Sequence, residues 1–143
     1  MARFFWGKTS IQRREGVHPL LLMTVDTALS YGVMDMTIIE GVRSIEQQKL
    51  NVEKGVSKTM NSMHLIQPTG YAHALDIYPA PINMEKFRAG YWPEIIRFGV
   101  LAGLMKRAAQ EVGCEITWGC DWDNDGQVLD HTFFDAPHFE LVL

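Results

Sequence analysis

Long apolar runs are missing from this chain. No stretch of its 143 residues could span a bilayer. Its start, MARFFWGKTSIQRR, lacks the apolar centre of a secretory signal. The expectation is a protein made in the cytoplasm that inserts into no membrane. Cysteine is scarce: only Cys114 and Cys120 are present. They flank EITWG, which reads as a strand, and at ~3.3 Å per residue it would hold them roughly 20 Å apart, too far for a disulfide. Lys and Arg are absent from 115–143, where seven acids lie, whereas residues 1–14 carry Arg3, Lys8, Arg13 and Arg14 and no acid. A net charge of −4 argues against a protein built mainly for nucleic acid, and the basic start reads as a solvated arm. Internal repeats and low-complexity tracts are lacking too.

What is present suits one domain over 1–143 with a sizeable core, at 47% hydrophobic and 21% charged residues. HPLLLMTVDTALSY (18–31) predicts a helix, with Pro19 at its first position, a stripe of Leu22, Val25 and Leu29, and Gly32 as its stop. MTIIE (36–40) predicts a strand. Ser44 then caps a second helix, with Gln47 at the reciprocal capping-box position and an end near Gly55. Residues 55–72 show no sustained period and read as a long loop, which in a small domain is usually functional. HALDIYP (73–79) predicts a strand stopped by Pro79 and Pro81. After Pro93 a long helix presents Phe98, Leu101, Met105, Ala108 and Val112 on one face and stops at Gly113. CEITW is a third strand, 119–137 an acidic loop, and HFELVL a closing strand. Helices and strands mix without βαβ alternation, so the fold class is α+β.

A hydrolytic metal site needs about three protein donors and one position open to water. His64 in the long loop, Asp76 on the second strand and His138 at the start of the last strand are the candidates. On an extended HALDIY, Ala74, Asp76 and Tyr78 share one face, and His73, Leu75 and Ile77 the other. An Asp between two apolar neighbours is costly to bury unless it is paired or metal-bound. Taken singly, each candidate is as well explained as a solvent-exposed or hydrogen-bonded side chain.

The segments SMH, AHALDIYP and DAPHFEL together resemble the VanY-like zinc metallopeptidases. These include D-alanyl-D-alanine carboxypeptidases and dipeptidases, and phage L-alanyl-D-glutamate endopeptidases that act as endolysins. TIIEGVRSIEQQ is similar to that family's G-x-R segment, and SKTMNSMH and GCDWDNDG look like its phage branch. The resemblance implies a small antiparallel sheet flanked by helices, as in hedgehog and D-Ala-D-Ala-peptidase folds. It also implies zinc on His64, Asp76 and His138, with Asp135 as the catalytic carboxylate and Arg43 facing the substrate. One departure stands out: eleven residues separate His64 from Asp76 where the family usually has six. The reading is a five-residue insertion after His64; the rival register makes His73 the ligand.

Gln47, Ser57 and Ser62 are candidate contacts to a bound peptide, and Glu140 shares the strand parity of His138. DWDNDG (121–126) opens like a calcium loop, but Thr132 stands where an EF-hand needs Glu. A looser calcium site on Asp121, Asp123, Asp125 and Asp130 and a solvated acidic turn are both open. Trp118 and Trp122 could line a cleft or pack in the core. The function implied is zinc-dependent cleavage of the L-Ala–D-Glu bond in the peptidoglycan stem peptide, causing host lysis by a monomeric phage endolysin. Lacking a signal, it would need a holin or equivalent lesion to reach the wall in the periplasm. A D-Ala-D-Ala-type carboxypeptidase and an inactive zinc-stabilised binding module are the other readings.

Overall fold

The computed structural model describes residues 3–143. Helices α1 (Lys8–Arg13) and α2 (Pro19–Ser30) precede strand β1 (Asp35–Glu40). Helix α3 (Ile45–Glu53) and strand β2 (Ala74–Ala80) follow, then α4 (Met84–Arg88), α5 (Trp92–Val112), β3 (Glu115–Trp118) and β4 (His138–Val142). The strands form one antiparallel sheet in the order β1-β2-β4-β3, and the class is α+β as expected.

Strand alternation gives this sheet two unlike faces. Leu75 and Ile77 of β2, Phe139 and Leu141 of β4, and Ile38 of β1 enter the core with Leu21, Val25, Ala28 and Leu29 of α2 and Leu101, Met105 and Ala108 of α5. The buried stripe of α2 thus runs through Leu21, while Leu22 is only half-buried. Phe98 is buried as expected, but Val112 is the last residue of α5, just before its Gly113 cap, and is half-buried. Residues of opposite parity, Asp76 on β2 and His138 and Glu140 on β4, fall on the other face. Asp76 and His138 are direct partners across the two central strands.

The N-terminal arm corrects an expectation. It is not a loose solvated segment: Ser10 of α1 is buried and its Oγ accepts the Ile38 N–H at 3.1 Å, while Arg13 donates to the Ile38 carbonyl. Arg14 forks onto Asp26, with both bonds at 2.7 Å. The basic charges pin the arm across the free edge of β1, satisfying backbone groups that an edge strand leaves unpaired. A six-residue helix carries too little periodic pattern to be read from sequence, and the same holds for α4. Pro79 also does not stop β2, since it pairs with Met36 of β1. Ile77 donates its N–H to Pro137 on the other side, so the missing N–H of Pro79 points beyond the start of β4, where no partner is needed.

Both cysteines are free, as expected. Ser44 caps α3 by accepting the Gln47 N–H, but the Gln47 amide turns to Asn51 and the capping box stays open. No helix among the described residues is long and apolar enough to cross a membrane.

Candidate metal centre

One donor atom from each of His64, Asp76 and His138 lies within 4.8 Å of the others. Both imidazoles approach the same carboxylate oxygen. Asp76 Oδ1 is 3.2 Å from His64 Nε2 and 3.2 Å from His138 Nδ1. The rings are buried, at 2% and 6% exposure, so water cannot relieve an unfavourable arrangement between them.

The outer nitrogens decide the tautomers. His64 Nδ1 lies 2.8 Å from the Gly41 carbonyl, which only accepts, so Nδ1 carries the hydrogen and Nε2 presents a lone pair. His138 Nε2 lies 2.9 Å from Glu140 Oε1, which leaves the Nδ1 lone pair on the inner side. Two lone pairs therefore face one anionic oxygen, an arrangement that needs a proton or a cation at its centre. Without a metal, protons do this work. Burial disfavours charge on His138, yet Asp76 and Glu140 together push its pKa up to about 9. Burial would raise Asp76, but hydrogen bonds from His138 and His64 hold it well below the usual carboxylate range. The donor set fits a divalent ion bound by two imidazoles and a carboxylate, each held from behind by an oxygen acceptor or by the strand.

His64 owes its place to the loop. Arg43 N–H donates to the His64 carbonyl at 2.8 Å, and the His64 N–H donates to Ser62 Oγ at 3.2 Å. Its ring bonds the carbonyl of Gly41, where a Cβ would lie 2.3 Å from the Arg13 carbonyl oxygen, so only glycine fits this crossing. The residues between His64 and His73 fold into a closed excursion. His73 N–H donates to the Met63 carbonyl, Ile66 bridges Ala72, and Gln67 and Tyr71 pair across the tip. His73 lies outside the cluster: its Nε2 is 2.7 Å from Thr69 Oγ1, and its ring sits edge-on to His18.

Asp135 comes from the acidic loop, and its Oδ2 is 4.0 Å from His138 Nδ1. Burial and then the charge of Asp76 raise its pKa. The loop is anchored by reciprocal backbone bonds: Gly119 N–H to His138 O, Asp135 N–H to Gly119 O, and His138 N–H to Asp135 O. A Cβ at Gly119 would lie 2.1 Å from the Asp135 carbonyl oxygen. Trp122 packs its ring 5.6 Å from that of His138 and walls the site, while Trp118 donates to the Ala136 carbonyl.

Arg43 is held by Glu40 through Nε and Nη2 and by Gln48 through Nη1. Neither Glu40 nor Gln48 stands out in the sequence. Glu40 reaches this face because β1 bulges after Ile38, with Ile38 opposite Ile77 but Glu40 opposite Asp76. Gln47 is exposed and bonded to Asn51, so its neighbour Gln48 takes the inward place. Ser57 and Ser62 spend their hydroxyls inside the protein, on Gln48 and on the His64 backbone.

In the acidic loop, oxygens of Asp123, Asp125 and Asp130 converge within 4.8 Å, but all three residues are exposed. Asp121 turns inward, and its carboxylate also converges with Asp123 and His131 within 4.8 Å. It is 1% exposed, 2.6 Å from Lys106 Nζ, and accepts the Gly126 and Asp125 N–H groups.

The whole chain has counterparts among known proteins. A family described as phage L-alanyl-D-glutamate peptidase matches residues 2–142. The chain is 28% identical over 142 residues to the L-alanyl-D-glutamate peptidase of Escherichia phage T5, covering 97% of this chain and 98% of that one. The crystal structure of the Serratia marcescens L-Ala D-Glu endopeptidase ChiX superposes with a TM-score of 0.73 at 32% identity, over 99% of this chain and 91% of that one. Its sheet, the donors that sheet and loop bring together and these matches agree, and the chain belongs to the phage L-alanyl-D-glutamate peptidase family.

Proposed function

We propose that this protein is a zinc-dependent endopeptidase that hydrolyses the L-Ala–D-Glu bond of the peptidoglycan stem peptide and serves host lysis. The observation that carries this reading is the convergence of His64, Asp76 and His138 with Asp135 alongside. Two nitrogens and one carboxylate oxygen suit zinc, which would be held by these three residues. When bound there, zinc would acidify water and polarise the scissile carbonyl. Asp135, with its raised pKa, accepts a proton from the attacking water and returns it to the leaving amine. Arg43, charged and held in one orientation, offers its remaining N–H to developing negative charge on the substrate or to its carboxylate. Trp122 and the buried strand face keep bulk water from the imidazoles.

Access to the wall after membrane permeabilisation, by a holin or an equivalent lesion, belongs to the same reading, as does a monomeric single domain. Calcium binding is confined to Asp123, Asp125 and Asp130 on this view, because Lys106 already neutralises Asp121. A titration with calcium at millimolar concentration that releases no heat would remove that part.

The deciding experiment is mass spectrometry of purified peptidoglycan digested with and without chelator. New D-glutamate amines that vanish with chelator are expected. Released D-alanine would make the protein a carboxypeptidase instead. A zinc-loaded protein that cuts nothing would make it a binding module. In the same assay Asp135→Asn should lose about 10²–10⁴-fold in rate while retaining its metal.

A further inference from the structure

Gln48 is a fully buried amide in a helix with few other inward residues, at 0% exposure. Such a group persists in a core only where its hydrogen bonds are met. Its Nε2 donates to the Thr59 carbonyl at 2.6 Å and to Ser57 Oγ at 2.9 Å, and its Oε1 accepts from Arg43 Nη1 at 2.7 Å. The Thr59 carbonyl can only accept, so the amide nitrogen must face it, and the oxygen must face Arg43. Arg43 is otherwise gripped by the Glu40 carboxylate through Nε and Nη2, and its Nη1 has only a distant further acceptor, Ser62 Oγ at 3.5 Å. A carboxylate grip alone lets the guanidinium rock about its contact; a second acceptor at Nη1 fixes its plane. The Arg43 backbone is bonded to His64, so the tilt of that plane is registered to a candidate metal donor.

We infer that Gln48 is a positioning residue. It orients the Arg43 guanidinium and ties that orientation to the loop at 57–59. The inference rests on the peptidase reading, in which Arg43 meets the substrate. Gln48 touches no substrate itself and acts only through Arg43 and the loop.

The test is a double-mutant cycle on a soluble muropeptide, with metal content and 15N spectra of the arginine side chains recorded for each variant. Gln48→Met preserves volume and removes every hydrogen bond. It should keep its metal and fold, lose about tenfold to a hundredfold in kcat with KM little changed, and release the Arg43 Nη resonances into fast rotation. In an Arg43→Lys background the same change should cost no more than about twofold, because the partner it orients is gone. Gln48→Glu, which keeps the acceptor for Arg43 but gives up the bonds to Ser57 and Thr59, should retain more of kcat than Gln48→Met. Gln48→Ala takes the place of Gln48→Met in the cycle if that variant does not fold.

Full additivity with Arg43→Lys, a loss of metal parallel to the loss of kcat, or unchanged Arg43 resonances would overturn the assignment. The resonances read the tether without turnover. A wild-type protein that leaves the stem peptide intact would therefore sink the peptidase reading and not this one.

Discussion

Glu140 holds His138 by its outer nitrogen. The two residues are separated by one position on β4, and Oε1 lies 2.9 Å from Nε2. This contact chooses the tautomer, and so decides which nitrogen of His138 faces Asp76. Glu140→Gln can still accept through its amide oxygen, but it loses the negative charge that makes the imidazole a strong donor. Metal affinity should fall by roughly 10–100-fold while stoichiometry is kept, as read by competition with a chromophoric chelator. An unchanged affinity would mean that Glu140 is only a surface charge.

His64 and His73 make opposite predictions. His64→Ala removes a donor from the cluster and should leave the purified protein with well under one metal per chain. His73→Ala removes only a bond to Thr69 and an edge contact with His18, so metal content should stay near wild type. Elemental analysis of the two variants separates the registers. The reverse pattern would return His73 to the ligand set.

Gly119 can be tested by one methyl group. Gly119→Ala places a Cβ against the Asp135 carbonyl and must push the acidic loop away from β4. Stability should drop by about 1–3 kcal/mol in urea unfolding, and activity should fall further than stability alone explains, because Asp135 moves with the loop. A fully active Gly119→Ala protein would show that the loop position is not critical.

Acid stability should depend on the Lys106–Asp121 pair. Burial would raise the Asp121 pKa, but Lys106 and two backbone N–H groups lower it overall. A carboxylate whose folded pKa is depressed contributes stability that is present above its unfolded value, about 3.9, and is lost as pH falls through the folded value. Lys106→Met should therefore cost about 1–3 kcal/mol at pH 7 and move acid unfolding to higher pH. Scanning melting temperature against pH for both proteins checks the sign. Superimposable curves would remove Asp121 from the acid response.

Much of the fold was legible because it rests on local signals. Pro19 with Gly32, the stripe of α5 with Gly113, and the alternation of HALDIY and HFELVL are read within a few residues. The alternation also gave the side of β2 on which Asp76 lies, and with it the separation of Asp76 from His73. α1 and α4 were not legible, because five or six residues hold less than two turns of pattern. Glu40 was hidden by a bulge, which moves a side chain to the opposite face by one residue of register.

The sequence by itself determined the donor types, the strand faces and the caps, since each depends on chemistry and period along the chain. Only the tertiary structure decided which imidazole meets Asp76, that Gln48 rather than Gln47 turns inward, and that Asp121, alone of the acids in its loop, is paired with Lys106. Those outcomes depend on contacts between residues far apart in the chain, where loop closure and competition among hydrogen-bond partners, not local propensity, select the partner.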